Sequence, residues 1–452
     1  MNRFICSGRM LGGSAILLST IIIVWIVFVN PPQTRILHSS SPQTVSPTHN
    51  SSSPWNPSDV RCSGLLDTSH IQVVVKTGSN IIYDKLPTQL LTALRCCQDP
   101  LIFADSEQDI GPYHVYDVLA NVNETLKATH PDFAYYRTIK DYLSSGRDIR
   151  LLRTSRQAAW DLDKYKFIHM LVETWERRPG HDWYVFVEAD TYLFWGNLVQ
   201  WLARMDPAKP LYLGSAATFQ SEKFAHGGSG VILSREAMKR VLDGDADLAA
   251  RYDEHMHDEI YGDYVLMKAL KEKGVELSNK WPMMQGEKQN TLPFGPGPNT
   301  GSRHGYVFRS FLLEVSEWMA NDEQEPLLIG ELYDYFMGRA LPSQRDDWYN
   351  LSDDLMFRAP GVEGQRQKSP ADMTPVEKEA YSSFEQCQKA CHEHSKCFQF
   401  VYHDQTCGFS FSYRLGYQRD PEGDEGPYKS GWILDKIEKD REDHPCKAPE
   451  WL

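Results

Sequence analysis

The hydrophobic positions of this chain form short unbroken runs separated by longer segments with helical spacing. Runs of four to seven residues, mostly β-branched, aliphatic or aromatic, predict strands buried on both faces. They lie at 70–76, 101–105, 183–187, 211–214 and 230–234. Apolar spacing of i, i+3 and i+4 predicts helices between the runs. These helices are expected at 87–94, 158–175, 198–205 and 236–242. Strands that alternate with helices predict an α/β domain with a mixed, mostly parallel sheet.

Residues 10–29 form the one stretch that is long and apolar enough to enter a bilayer. Twenty residues at a rise of 1.5 Å span about 30 Å, the thickness of the hydrocarbon core. Arg3 and Arg9 precede the stretch, so the positive-inside rule places residues 1–9 in the cytosol. We expect a retained type II signal anchor. The alternative is a signal peptide cleaved near Asn30, which N-terminal sequencing would detect.

The segment that follows, residues 30–66, is rich in Ser, Thr, Pro and Asn and is expected to be an extended stem. Everything beyond the anchor would lie in the secretory lumen. Eight of the nine cysteines fall on that side and are disulfide candidates in an oxidising compartment. Sequons at Asn50, Asn123 and Asn350 are possible glycan acceptors there.

Composition narrows the class of protein. The chain has 452 residues, enough for one large domain and a smaller one. Its content of 41% hydrophobic and 24% charged residues excludes collagen, general disorder and a polytopic membrane protein. The net charge of −14, with no dense basic cluster, argues against nucleic acid as the main partner.

Two carboxylates, Glu188 and Asp190, stand at the end of the run 183–187. In open α/β sheets, ligands bind beyond the carboxyl ends of the strands. Alternate residues of an extended segment point the same way, so both carboxylates could face one cation. Mn²⁺ and Mg²⁺ prefer such oxygen ligands and can also hold a diphosphate. The alternative is an ordinary solvated strand end.

Several segments resemble, in the same order, the motifs of the family 31 glycosyltransferases, the inverting β-1,3 enzymes that include core-1 galactosyltransferases and Fringe. Residues 183–195 resemble the Asp-x-Asp motif of GT-A glycosyltransferases, with Glu188 in the first acidic place. The other matching segments are 73–78, 160–167, 226–234 and 262–266. The resemblance spans roughly residues 70–285, is closest to fungal proteins of this layout, and implies a Rossmann-like GT-A domain.

The resemblance implies a single displacement on a UDP-sugar. Asp263 would take the proton of the acceptor hydroxyl, with Asp258 and Glu259 as nearby competitors. An Mn²⁺ or Mg²⁺ ion held by Glu188 and Asp190 would offset charge on the departing diphosphate. The structural alternative for Asp263 is an N-cap of the following helix.

The remaining site candidates surround this acidic centre. The candidates for donor binding are Lys76, Thr77, Gly78, Lys166, Gly227 and Gly228. The lysines could reach phosphate or uracil, and the glycines could let the backbone approach the sugar donor. Solvated lysines and a plain tight turn are the alternatives. Family members usually add a metal-binding histidine, and His304 is the candidate here, with a surface-loop histidine as the alternative. Residues 300–316 lack the family's Trp-Cys stretch, which indicates a divergent insert or a gene-model error.

The C-terminal cysteines indicate a small disulfide-stabilised α+β module at 380–446. Cys387 and Cys391 are spaced i, i+4 on one helix face, ahead of a strand. The arrangement resembles a PAN/apple-like module, which binds protein or carbohydrate. The cysteines that allow three pairings are Cys387, Cys391, Cys397 and Cys407, and a zinc site is disfavoured by their spacing and by the oxidising lumen. Cys446 is a candidate partner for Cys62, Cys96 or Cys97.

Together these features predict a single-pass type II membrane protein of the Golgi. The expected order is a cytosolic tail at 1–9, an anchor at 10–29, a stem at 30–66, a GT-A domain at 67–345, a linker at 346–379 and the module at 380–446. It would transfer a hexose or N-acetylhexosamine from a UDP-sugar to a glycan or glycoprotein hydroxyl, with β-1,3 linkage from the resemblance alone. The alternative is an inactive membrane-tethered protein that binds carbohydrate or protein.

Overall fold

A computed structural model describes residues 67–296, 326–338, 341–423, 425–445 and 451. The predicted tail, anchor and stem and the candidate ligand His304 lie outside these residues. Within them, none of the helices has the length and apolar character needed to cross a membrane.

A mixed eight-stranded sheet forms the centre of residues 67–296. The strands of this part of the chain are β1 (Ile71–Lys76), β2 (Leu101–Ala104), β3 (Gln108–Ile110), β4 (Tyr113–Asp117), β5 (Trp183–Glu188), β6 (Tyr212–Gly214), β7 (Ala216–Phe219), β8 (Glu222–Ala225), β9 (Val231–Ser234) and β10 (Leu277–Asn279). The sheet order is β10-β6-β9-β5-β1-β2-β4-β3, and β7 pairs with β8 in a separate hairpin. The pairs β1–β2, β1–β5, β2–β4 and β6–β10 are parallel, so the predicted largely parallel α/β sheet is confirmed.

Helices flank this sheet. They are α1 (Ile82–Leu91), α2 (Glu124–Thr129), α3 (Ala134–Ser144), α4 (Arg156–Asp163), α5 (Lys166–Arg177), α6 (Trp195–Leu202), α7 (Arg235–Leu242), α8 (Leu248–Asp253) and α9 (Gly262–Glu272). The helix expected at 158–175 is two helices, α4 and α5. Gly262 approaches the break so closely that a Cβ on it would lie 2.5 Å from the carbonyl oxygen of Lys164. The chain therefore turns where α9 begins to pack against it.

Both faces of the sheet are covered by apolar side chains. Along β1, Val74 belongs to one apolar cluster, whereas Val73 and Val75 belong to another. The first cluster includes residues of α5 and α9, and the second includes residues of α1 and α6. Coverage of both faces explains why the central strands are continuous hydrophobic runs rather than alternating ones.

The rest of the described chain forms a second, antiparallel sheet with short helices. The strands are β11 (Gln344–Asp346), β12 (Trp348–Tyr349), β13 (Leu355–Arg358), β14 (Gln399–His403), β15 (Thr406–Ser410), β16 (Tyr417–Gln418) and β17 (Lys429–Trp432). The helices are α10 (Ile329–Tyr333), α11 (Pro375–Lys378), α12 (Phe384–Glu393) and α13 (Leu434–Asp443). Five of these strands form the second sheet in the order β11-β17-β14-β15-β13, and β12 pairs with β16 separately.

The range 346–379, expected to be a linker, contributes to this second sheet. It contains β13 and the last residue of β11, which are the two edge strands. An edge strand pairs on one side only and tolerates polar residues, and all of β11 is exposed. The second sheet therefore begins upstream of residue 380, although most of the range 346–379 lies outside its strands.

An apolar cluster joins the second sheet to the segment that follows β5. Tyr192 and Phe194 share it with Phe398 and Trp432. Phe294 adds backbone pairing with Tyr413, with N···O distances of 3.0 and 2.9 Å. The C-terminal region is thus part of the packing around the end of β5.

Two disulfides are present in the C-terminal region. Cys387 pairs with Cys407, and Cys391 pairs with Cys397, which selects one of the three possible pairings. Cys96 is also disulfide-bonded, whereas Cys97 is a buried free thiol.

Asn350 does not fit the role of a glycan acceptor. Its side chain is fully buried and donates hydrogen bonds to the carbonyls of Phe400 (3.1 Å) and Gly431 (3.3 Å). Asn123, in contrast, is exposed, and its side chain caps α2. Asn350 therefore stabilises the second sheet rather than serving as a glycan acceptor.

We expect the two C-terminal disulfides to differ in their contribution to stability. The paired substitution Cys387→Ala/Cys407→Ala opens a link with a sequence separation of 20, and Cys391→Ala/Cys397→Ala opens one of 6. All four sulfurs are buried, so the longer loop decides the difference. The first pair should lose about 3 kcal/mol of unfolding free energy, about 1 kcal/mol more than the second. Urea denaturation of both variants measures this, and equal losses would contradict the loop argument.

Candidate active site

A cavity of about 770 Å³ opens at the carboxyl ends of β1 and β5. The β1–α1 connection, α4, α5, the turn before β9 and the start of α9 also line it. It contains every described residue predicted as the base, as a metal ligand or for donor binding. These are Lys76, Thr77, Gly78, Lys166, Glu188, Asp190, Gly227, Gly228 and Asp263. The competing base candidates Asp258 and Glu259 lie outside its lining.

The floor of the cavity is an ion pair between adjacent strands. The parallel register places Lys76 of β1 beside Glu188 of β5, with Nζ 2.9 Å from Oε1. The same ammonium donates to Asp163 at the end of α4 and lies 4.4 Å from the ring centre of Phe167. Lys76 is 5% exposed, so its charge is neutralised within the protein.

Lys166 extends this network towards β2. Its ammonium is 3.1 Å from Asp105, 3.2 Å from Asp163 and 3.0 Å from the carbonyl oxygen of Thr77. Asp163 therefore bridges two buried lysines. The result is a chain of alternating charges, Asp105–Lys166–Asp163–Lys76–Glu188, across three strand ends; we call it the buried charge chain.

The pKa values of the carboxyls follow from this arrangement. Burial alone would raise the pKa of Asp163, but the two lysines outweigh it and lower the pKa to about 2. Burial raises the pKa of Glu188, and the nearby charges of Asp163 and Asp190 add to that effect against the opposing pull of Lys76. Of the two carboxylates that pair with Lys76, Glu188 is therefore more easily protonated than Asp163.

Asp190 differs from the expected geometry. β5 ends at Glu188, and the amide of Thr191 donates to the carbonyl of Glu188 (3.0 Å), so Asp190 lies in a turn rather than on an extended segment. Its Oδ2 is 2.7 Å from the ammonium of Lys85 on α1. The two carboxylates share the cavity but have different lysine partners.

Asp263 enters the cavity from the second residue of α9. Its Oδ2 accepts from the amide of Gly227 (2.8 Å), and its Oδ1 accepts from the amide of Tyr264 (3.0 Å). Tyr261 occupies the N-cap position, so Asp263 is not the N-cap. A Cβ on Gly227 would lie 2.9 Å from Phe167 and 3.4 Å from Asp263, which explains the need for glycine there. Burial raises the pKa of Asp263 despite these hydrogen bonds.

Sequence reasoning missed five charged residues of the cavity, which are Asp105, Asp163, Lys164, Lys85 and Arg156. Asp105 ends the predicted strand 101–105, and Asp163 and Lys164 lie within 160–167, so these three carried a positional signal. Lys85 and Arg156 carried none, because both lie outside the helices expected at 87–94 and 158–175. Within the part of the chain described here, no group of three or more His, Cys, Asp or Glu residues is placed to hold a metal ion.

Residues 69–278 match a family model described as Fringe-like. The match covers a little under half of the chain and includes all of the cavity residues named above. The Fringe-like family is related to the family 31 glycosyltransferases. This family match therefore supports a glycosyltransferase as the class of protein.

We expect Asp163→Asn to destabilise the protein by about 3 kcal/mol at pH 7, because two buried ammonium groups lose a shared partner. The pKa of Asp163 is lowered, so its contribution is present above about pH 4 and is lost as the pH falls towards about 2. The stability difference between wild type and variant should therefore be constant near neutral pH and shrink in acid.

Urea denaturation between neutral pH and pH 3 measures this difference. Asp258→Asn is the matched control, because the carboxylate of Asp258 is 75% exposed and outside the cavity lining. A difference for Asp163→Asn that stays unchanged in acid would contradict the assigned charge state.

Proposed function

We propose that the protein is an inverting glycosyltransferase that moves a hexose or N-acetylhexosamine from a UDP-sugar to a hydroxyl of a glycan or glycoprotein. The observation that carries the proposal is the shared cavity of Asp263, Glu188 and Asp190 at the strand ends. The Fringe-like match over the same residues supports it. The β-1,3 linkage rests on the resemblance to family 31.

In this proposal Asp263 is the general base. Two backbone amides fix its orientation, and burial raises its pKa, which makes the carboxylate a stronger proton acceptor. The acceptor oxygen gives its proton to Asp263 and forms a bond to the anomeric carbon. The bond from that carbon to the diphosphate breaks on the opposite face, and UDP leaves with the electron pair.

We propose that Glu188 and Asp190 hold an Mn²⁺ or Mg²⁺ ion, with His304 as a further ligand. Carboxylate oxygens suit these cations, which commonly use one or two carboxylates together with substrate phosphates. When bound, the ion would offset charge on the departing diphosphate.

The charges around the cavity support this cation. The cavity is lined by equal numbers of acidic and basic side chains. The acids are Asp105, Asp163, Glu188, Asp190 and Asp263, and the bases are Lys76, Lys85, Arg156, Lys164 and Lys166. A diphosphate then adds negative charge that a divalent cation would compensate. Lys85, whose side chain is more than a third exposed, can turn from Asp190 to the diphosphate.

The residues predicted to bind the donor have different roles in this proposal. The Thr77 hydroxyl is buried in the cavity wall and has no hydrogen-bond partner among the described residues, so we propose that it bonds to the nucleotide. Gly78, Gly227 and Gly228 border the same space and allow close approach of the backbone. Lys166 already contacts three protein oxygens, so we propose that it positions Thr77 rather than touching the donor.

The cellular setting remains part of the proposal. Disulfides in the described residues fit an oxidising compartment such as the Golgi lumen. We propose a type II anchor at 10–29 that tethers the enzyme there. The sheet and α12, joined by disulfides, support a PAN/apple-like module for protein or carbohydrate binding.

Asp263→Asn should lower turnover about 100-fold or more, because an amide cannot take the acceptor proton at neutral pH. UDP affinity should stay near the wild-type value. The assay is UDP release by the purified full chain in detergent with Mn²⁺ and a panel of UDP-sugars, and calorimetry measures UDP binding. Asp258→Asn is the control for a nearby exposed carboxylate. Wild-type turnover in Asp263→Asn would reject this base, and UDP binding without turnover in the native protein would favour the inactive binding protein.

Removal of divalent cations by EDTA should abolish turnover and weaken UDP binding, and Mn²⁺ should restore both. Asp190→Asn should weaken the binding of Mn²⁺ itself, because one carboxylate ligand is gone. Binding is measured as the loss of the electron paramagnetic resonance signal of free Mn²⁺, and the variant should lose less of that signal than the wild type. The control is Asp206→Asn, a carboxylate outside the cavity lining. Turnover that persists in EDTA would remove the metal from the proposal.

A further inference from the structure

The mouth of the cavity differs chemically from its floor. The floor holds the buried charge chain, whereas Trp160 and Ile260 at the lining are 57% and 59% exposed. Every other tryptophan in the described ranges is buried or half-buried. Exposed apolar side chains at the rim of a cavity with a charged floor are candidates for contact with a bound molecule.

Aromatic rings support Trp160. Its ring meets Tyr261 edge-on, with 6.3 Å between centroids, and Tyr261 meets Phe219 in the same way at 5.1 Å. Tyr261 is the N-cap residue of α9 and lies two positions before Asp263. Trp160 and the proposed base Asp263 therefore line the same cavity, and Tyr261 contacts the first and lies near the second in sequence.

Arg156 supplies polar contacts near this surface. It precedes Trp160 by one turn of α4, so both side chains lie on one side of the helix, and both line the cavity. No hydrogen bond or ion pair of its guanidinium occurs within the residues that the structure describes. Its five N–H donors are thus available to a ligand that carries several oxygens.

We propose that Trp160, Ile260, Tyr261 and Arg156 form the subsite for the acceptor, and that its occupant is a hexose ring. A pyranose has a face of C–H groups, which stacks on an aromatic ring, and a rim of hydroxyls, which suits the guanidinium. Trp160 is then a specificity-determining residue for the acceptor. This inference rests on the proposed function and names the substrate class of that same site.

Saturation-transfer NMR with the purified full chain and saturating UDP and Mn²⁺ tests the subsite. The probes are the methyl glycosides of galactose, N-acetylgalactosamine, glucose and mannose. At least one of these glycosides should bind the wild type. Its affinity should be about 10-fold lower for Trp160→Ala and nearly unchanged for Trp160→Phe, which keeps a ring. Arg156→Gln should lower the affinity for the same glycoside by a few-fold, which corresponds to the loss of about one hydrogen bond. The control is Leu151→Ala, an exposed apolar residue outside the cavity lining.

The outcomes separate the subsite from the proposed function. UDP affinity, measured by calorimetry, should be the same in Trp160→Ala and wild type; an equal loss of UDP and glycoside binding would assign Trp160 to the donor and overturn the inference. Absence of Trp160-dependent binding for all four glycosides would overturn it as well. Trp160-dependent glycoside binding by a wild type that binds no UDP would retain the subsite and reject the transferase.

Discussion

The buried charge chain is the constraint on which the site depends. A buried charge is costly unless paired, and each of its two ammonium groups is held by two carboxylates. Its members come from the ends of β1, β2 and β5 and from the α4–α5 break. A shift of any of these elements would leave a charge without its partner. The chain therefore fixes the strand ends relative to one another, and with them the cavity floor.

On this fixed floor the other parts of the site need little additional support. Two amides orient Asp263. One of them belongs to Gly227, where a Cβ would lie only 2.9 Å from the Phe167 ring. Lys85 and Asp190 form a more exposed pair at the edge of the same cavity. The arrangement separates a rigid interior, made of paired charges, from side chains that can respond to a ligand.

Much of this fold was predictable because the central strands are buried on both faces, which leaves continuous hydrophobic runs such as 70–76 and 183–187. The boundaries that failed have local causes. Apolar spacing continues across Lys164, so the pattern did not reveal the α4–α5 break. The strand β13 has only four residues and lies within a mostly polar segment, so the sequence pattern indicates a linker there. The predicted residues of the cavity converge as the order of the motifs suggested. Lys85 and Arg156 were not predictable, because long charged side chains on helix surfaces follow no hydrophobic period.

The apolar cluster shared by Tyr192, Phe194, Phe398 and Trp432 has a consequence for how this protein can be divided. The turn that carries Asp190 leads directly into Tyr192 and Phe194, and the opposite side of that cluster belongs to the second sheet. A fragment that stops before this sheet would leave those aromatic rings facing water a few residues from the acidic pair. The C-terminal region thus covers apolar side chains of the transferase-like region 67–296. The two regions are therefore one unit for folding and for protein engineering.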